Sequence, residues 1–346
     1  MEGKEILKKL SDLNAVSGSE YLLQDDLECI FKPYVNEIKK GKMGDFIAIK
    51  RGEGEDRLKI LITAHVDEIG LMVTDIDERG FVSFTNVGGV DPKTLPAQEV
   101  IIHGLRDVYG VIGAKPPHVL TEKDRKKAIK MDEMVIDCGM TKDELKELVK
   151  IGDYITIKKE SLELLGDFIT GKALDNRVGI MALYECAKEL NKIKHTADVY
   201  FAATTQEERG LLGIKTTTYE VNPDIGIVVD VTFGDKYANP DIQLECGKGV
   251  EITIGPNIHP ELSEKLIKLA DEYGIPYTID VAPGGTGTET WNLQVTREGV
   301  PTLLVSVPIK YMHTSTEIVN YKDIVRAGRL LALFISSLKN WGDIYA

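Results

Sequence analysis

Five short segments of this 346-residue chain carry histidines and carboxylates in patterns that could hold divalent cations. In Ala64-His65-Val66-Asp67-Glu68 an acid lies two residues beyond a histidine. A carboxylate so placed can orient an imidazole on a metal, or His65 could simply end a strand with its ring satisfied by a hydrogen bond. In Ala173-Leu174-Asp175-Asn176-Arg177, Asp175 has two oxygens that could bridge two cations, or it could cap the following helix. Gln206-Glu207-Glu208-Arg209-Gly210 sets two acids side by side. Such a pair repels unless a cation or proton offsets it, so one acid could ligate metal while the other serves as base, or the pair could mark an exposed acidic turn. Asp230 interrupts the apolar run Val228-Val229-Asp230-Val231, which is costly unless it is paired, hydrogen-bonded or metal-bound. His313, one of six histidines, follows the apolar run that ends at Ile309. Together these segments offer two histidines and three carboxylates to one cleft, with Glu207 spare. Two divalent cations would nearly neutralise Asp175, Glu208 and Asp230. Nitrogen and oxygen donors without thiolate suit zinc, cobalt or manganese.

Side chains of this kind are expected at strand ends, where open α/β sheets bind ligands. The spacing of Ile6, Leu7, Leu10 and Leu13 predicts a first helix. Ser17 and Ser19 are candidate caps for a second, which carries Leu22, Leu23, Leu27, Ile30 and Phe31. Leu58–Ala64 reads as a buried strand. From Glu68 to Leu165 short alternating runs are punctuated by Gly, Pro and Asp, as in a small β-barrel or sandwich with one helix over Lys142–Val149. After Gly171 helices and strands alternate. Helices are expected over Asn176–Leu190, Pro260–Tyr273, Thr288–Arg297 and Tyr321–Leu338; strands over Asp198–Thr204, Ile225–Val231, Tyr277–Val281 and Thr302–Val307. This predicts an α/β core, residues 1–67 and 166–346, interrupted by a β module, residues 68–165.

Composition narrows the function classes. Hydrophobic residues are 43% and charged residues 28% of the chain, the balance of a soluble globular protein. A net charge of −13 argues against a nucleic-acid or anionic-membrane partner. No apolar run spans a bilayer and the charged N-terminus lacks a signal-peptide core, so a cytoplasmic protein is expected. Cys29, Cys138, Cys186 and Cys246 lack CxxC spacing and read as buried thiols rather than a disulfide framework or zinc ribbon.

The five segments, in this order, closely resemble the tetrahedral aminopeptidases, dinuclear metallopeptidases that include glutamyl aminopeptidases. The resemblance spans essentially the whole chain and includes Gly88-Gly89-Val90-Asp91-Pro92, Pro116-Pro117-His118 and Arg297–Pro301. It implies a three-layer α/β/α metallopeptidase core with an inserted PDZ-like β-barrel for dimerisation. It also implies that Asp175 bridges two metals per subunit, zinc or cobalt. His65 and Asp230 would complete one metal site, and Glu208 and His313 the other. Glu207 would be the general base and acid, and Asp67 the partner of His65. Family members often assemble as hollow tetrahedral dodecamers that admit short peptides only. Where many carry Gly-Gly-Thr-Asp, this chain has Gly284-Gly285-Thr286-Gly287-Thr288-Glu289, so Glu289 and nearby Trp291 are candidate substrate-binding residues, or Glu289 simply favours a helix start. The competing readings are an N-acyl amino acid deacylase with the same metal core, a metal-free glycosidase, and a non-catalytic binding module.

Overall fold

The computed structural model describes residues 2–119, 121–122, 127–235 and 244–344. Helices α1 (Glu2–Asp12) and α2 (Gln24–Phe31) lead into strands β1 (Glu37–Lys40), β2 (Phe46–Lys50) and β3 (Lys59–His65). The chain then forms β4 (Gly70–Ile76), β5 (Phe81–Val87), β6 (Glu99–His103), β7 (Asp107–Ala114), β8 (Met134–Asp137), helix α3 (Lys142–Leu148) and β9 (Tyr154–Ile157). It returns through β10 (Leu162–Glu163), β11 (Phe168–Gly171), α4 (Leu174–Glu189), β12 (Asp198–Thr204), α5 (Gly213–Val221), β13 (Ile225–Phe233), β14 (Val250–Ile254), α6 (Pro260–Glu272) and β15 (Tyr277–Val281). Last come α7 (Thr290–Leu293), β16 (Thr302–Lys310), β17 (Glu317–Asn320) and α8 (Tyr321–Ser337).

The α/β expectation with an inserted barrel holds. Strands β4 to β9 close on themselves in the order β4-β5-β8-β7-β6-β9, around their own core that includes Val73, Val100, Ile112 and Ile155. The other eleven strands form one mixed sheet, whose main path runs β1-β2-β12-β3-β13-β16-β17-β11-β10, with β14 and β15 branching from β16. Its centre, β12-β3-β13-β16, is parallel. These strands are apolar nearly throughout because helices cover both faces. On one face a Cβ at Gly179 of α4 would meet Ala64. On the other, one at Gly226 would meet Leu293 of α7, and Thr63 donates a hydrogen bond to Glu289. Because alternate residues of a strand point to opposite faces, α4 and α7 sandwich the sheet.

Several expectations change. Thr288–Arg297 is helical only over Thr290–Leu293. Ser17 and Ser19 do not cap α2. The Ser17 hydroxyl is drawn instead to the buried Asp67 carboxylate, and that of Ser19 to the Val16 carbonyl. Strands β1, β2, β8, β10, β11, β14 and β17 and helix α5 went unanticipated; these strands are only two to five residues long. All four cysteines are free, but Cys29 is exposed because it lies on the outer side of α2.

One buried ion pair ties the two modules together. Glu68, between β3 and the barrel, meets Lys172, just before α4, at 2.7 Å and 2.8 Å. Lys172 also donates to the Leu13 carbonyl, and Glu68 accepts from the Ala15 amide. Removing one partner would leave the other charge buried without compensation, which typically costs about 3–5 kcal/mol. Glu68→Leu and Lys172→Met are each expected to destabilise by that order in denaturant titrations, and the double substitution by less than their sum. Single losses under about 1 kcal/mol would show that the pair does not anchor the junction.

Candidate metal centre

The site sits where β3 and β12 end, beside Asp230 in the second half of β13. His65, the last residue of β3, is paired with Thr204, the last of β12, and the turn after β12 carries Glu207 and Glu208. Asp67 fastens the two strand ends together. Its carboxylate accepts hydrogen bonds from the Glu207 and Glu208 amides, at 3.1 Å and 3.2 Å, and from the Ser17 hydroxyl at 2.5 Å. It also lies 3.6 Å from His65 Nδ1. Burial opposes its charge, but the nearby His65 imidazole, with these hydrogen bonds, holds Asp67 below the usual carboxylate range.

Asp175 lies between two histidines. Its Oδ1 is 3.1 Å from His65 Nε2, and its Oδ2 is 3.3 Å from His313 Nε2. His313 Nε2 is also 3.3 Å from Glu208, while His65 Nε2 is 3.8 Å from Glu207 and 4.0 Å from Asp230. Asp175 does not cap α4. It sits in the first turn with non-helical dihedrals, turned toward the histidines, and Ala173 precedes the helix without a side-chain cap. Asp230 accepts from the Asn176 amide and its neighbour's backbone N–H, so the interruption of its apolar run is met partly by hydrogen bonds.

Three groups of residues bring ligand atoms within 4.8 Å of one another among the described residues: His65, Asp175 and Asp230; His65, Glu207 and Glu208; and Asp175, Glu208 and His313. The electrostatics show how short the cluster is of positive charge. Burial, with the neighbouring acids, pushes the Glu207 carboxyl up to about 9 and that of Asp230 up to about 8. Hydrogen bonds to Asp175 and Glu208 push His313 up to about 11. Burial would raise Asp175 too, but the bonds from His313 and His65 hold it well below its ordinary value. The cluster thus takes up protons where it has no other counter-charge, and its donors fit divalent cations of the zinc and cobalt type.

Glu317 was not anticipated, although it lies four residues after His313. Its buried carboxylate accepts the backbone amides of Asp175 and His313, at 3.1 Å and 2.8 Å, and so sets the two residues relative to each other. The barrel also reaches the site. The Gly89 carbonyl lies 3.2 Å from His313 Nδ1. Neither of the candidate substrate-binding residues, Glu289 and Trp291, lines the cleft itself. Glu289 is buried between the sheet and α7, accepts from Thr63, neither caps α7 nor lines the cleft, and is pushed up to about 7 by burial. Trp291 lies against Gly285, which does line the cleft. The cleft itself, of about 950 Å³, opens over the metal-ligating candidates and is walled by β13, β14, β15 and the 285–288 loop.

A sequence profile described as M42 glutamyl aminopeptidase matches residues 44–330. The chain is 35% identical to the lysyl aminopeptidase of Pyrococcus furiosus over 342 residues, 97% of each chain. The structure resembles a TET aminopeptidase from a marine-sediment archaeon of the Thaumarchaeota, with a TM-score of 0.93, 30% identity, and 100% and 99% of the two chains covered. It also resembles the Pyrococcus horikoshii TET1 peptidase, which can assemble into a tetrahedron or a large octahedral shell; the TM-score is 0.84, the identity 32%, and 97% and 100% of the two chains are covered.

A Cβ added at Gly89 would stand 2.7 Å from His313 Nδ1, with no positive φ to strain it. Gly89→Ala is therefore expected to displace the His313 ring and weaken cation affinity at least several-fold in a competition titration, with little change in melting temperature. Unchanged affinity would show that the barrel does not position this histidine.

Proposed function

The chain belongs to the M42 glutamyl aminopeptidase family, and we propose that it removes N-terminal residues from short peptides at a dinuclear metal centre. The observation that carries this reading is Asp175, whose two oxygens face the two histidines at 3.1 Å and 3.3 Å. In this proposal His65, Asp175 and Asp230 hold one cation, and Asp175, Glu208 and His313 the other, with zinc or cobalt favoured by the donor set. When bound, such cations polarise a carbonyl and lower the pKa of water.

The protein's own groups do the rest. Glu207 takes the proton of the attacking water and returns one to the leaving amine. It suits this work because it sits at the cleft, and burial already favours its protonated form. Asp67 fixes the His65 ring and, through two backbone amides, the turn that presents Glu207. Glu317 fixes the backbones of Asp175 and His313.

The barrel, within the proposed module 68–165, is assigned the contact between subunits of a homo-oligomer such as a tetrahedral dodecamer. Its exposed Leu105, Tyr109, Val111 and Ile151 support that role. No helix among the described residues is long and apolar enough to cross a membrane. Four free cysteines suit the reducing cytoplasm.

Adjacent acids separate the roles experimentally. Glu207→Gln is expected to keep its cations by elemental analysis and lose about 10²–10⁴-fold in turnover of aminoacyl chromogenic substrates. Glu208→Gln is expected to lose cation affinity. The reverse pattern would exchange their roles. If N-acetyl amino acids were cleaved and aminoacyl substrates were not, the protein would be a deacylase.

A further inference from the structure

The register of the sheet places a second pair of acids in the cleft, apart from the metal cluster. Asp230 on β13 is paired with Ser306 on β16, and Ser306 with Glu251 on β14. Residues in register across neighbouring strands stand on the same face, and each strand adds about 4.8 Å, so the Glu251 backbone lies roughly 10 Å from that of Asp230. Two residues along β14 on the same face, Thr253 is paired with Asp280 on β15. Glu251, Thr253, Asp280 and Ser306 all line the cleft, and among the described residues no lysine or arginine does. Glu251 is hydrogen-bonded to the Thr232 side chain, and among the described residues no cation offsets its burial.

We propose that Glu251, with Asp280 beside it, forms the subsite for a positively charged N-terminal side chain, so that the preferred substrates begin with lysine or arginine. The proposal rests on the aminopeptidase reading of the metal centre. With the substrate's first α-amine and scissile carbonyl at the cluster beside Asp230, the first side chain extends along the sheet. Ser306 and Thr253 are small enough to leave a path for a flexible four-carbon stem, whose apolar body lies on Leu304, another residue of the cleft wall. Its terminal charge then meets Glu251, and a cation there keeps that carboxylate ionised in spite of its burial. A glutamyl or aspartyl side chain would meet like charge in the same place. A leucyl side chain would bring no positive charge to either acid. Membership of the family leaves this choice open, since its profile is described as glutamyl and the Pyrococcus furiosus relative as lysyl.

The test is a panel of lysyl-, arginyl-, leucyl-, alanyl- and glutamyl-p-nitroanilides with the metal-loaded full chain. The expected kcat/KM is highest for the lysyl and arginyl substrates and lowest for the glutamyl one. Glu251→Gln is expected to lower kcat/KM for the cationic substrates by about 10- to 100-fold, as for loss of a charged hydrogen-bond partner, and that for leucyl by less than about 3-fold. Glu251→Lys should raise the glutamyl substrate above the lysyl one. If the unaltered protein cleaves leucyl as well as lysyl substrates, or if Glu251→Gln lowers both equally, the subsite is overturned while the aminopeptidase reading stands. If no aminoacyl substrate is cleaved, that reading fails and the subsite falls with it.

Discussion

Negative charge crowded where two parallel strands end beside a third is the constraint around which the site is built. Asp67, Asp175, Glu207, Glu208 and Asp230 converge on only two imidazoles. Burial raises the energy of each ionised acid, and each raises that of its neighbours. Such a group persists only where cations, protons or fixed hydrogen-bond donors offset it. The protein supplies the donors unevenly. Asp67 receives two backbone amides and a hydroxyl and remains ionised, whereas Glu207 and Asp230 are driven toward protonation. That asymmetry separates an acid that holds the architecture from acids left free to bind cations or carry a proton.

Holding these groups in place needs backbone that side chains seldom adopt. Gln206, just before the two glutamates, has φ 54°; Ala173, before Asp175, has φ 53°; and His313 itself has φ 61°. Such left-handed conformations are unfavourable for residues other than glycine and persist only where their surroundings fix them. Glu20 accepts the Gln206 amide, and Glu317 the His313 amide. The buried Glu68–Lys172 pair adjoins the same corner, so the joint between sheet and barrel is also the joint beneath the site. Through Gly89 the barrel takes part in orienting His313, and so contributes to the site itself.

Much of this was legible in the sequence, because the candidate ligands fall where chain chemistry changes abruptly. His65 ends an apolar strand and Asp230 breaks another, and those contrasts survive without any knowledge of the fold. The barrel was legible from its alternating short runs. Asp175 was ambiguous, since a helix cap and a bridging ligand call for the same residue type. Glu317 and the Glu251–Asp280 pair were hidden, because their roles arise from strand pairings between distant segments that no local pattern records. The inward placement of Glu289 was hidden for a related reason. Its hydrogen bond from Thr63 joins β3 to a segment more than two hundred residues away.

The central claim is that one carboxylate, Asp175, is shared by two cations. Calorimetric titration of the metal-stripped protein with cobalt(II) tests it most directly, with the bound metal counted by elemental analysis. The account predicts two cations per chain for the unaltered protein, and weakened binding of both in Asp175→Ala. A single cation per chain, or two retained at full affinity without Asp175, would contradict it.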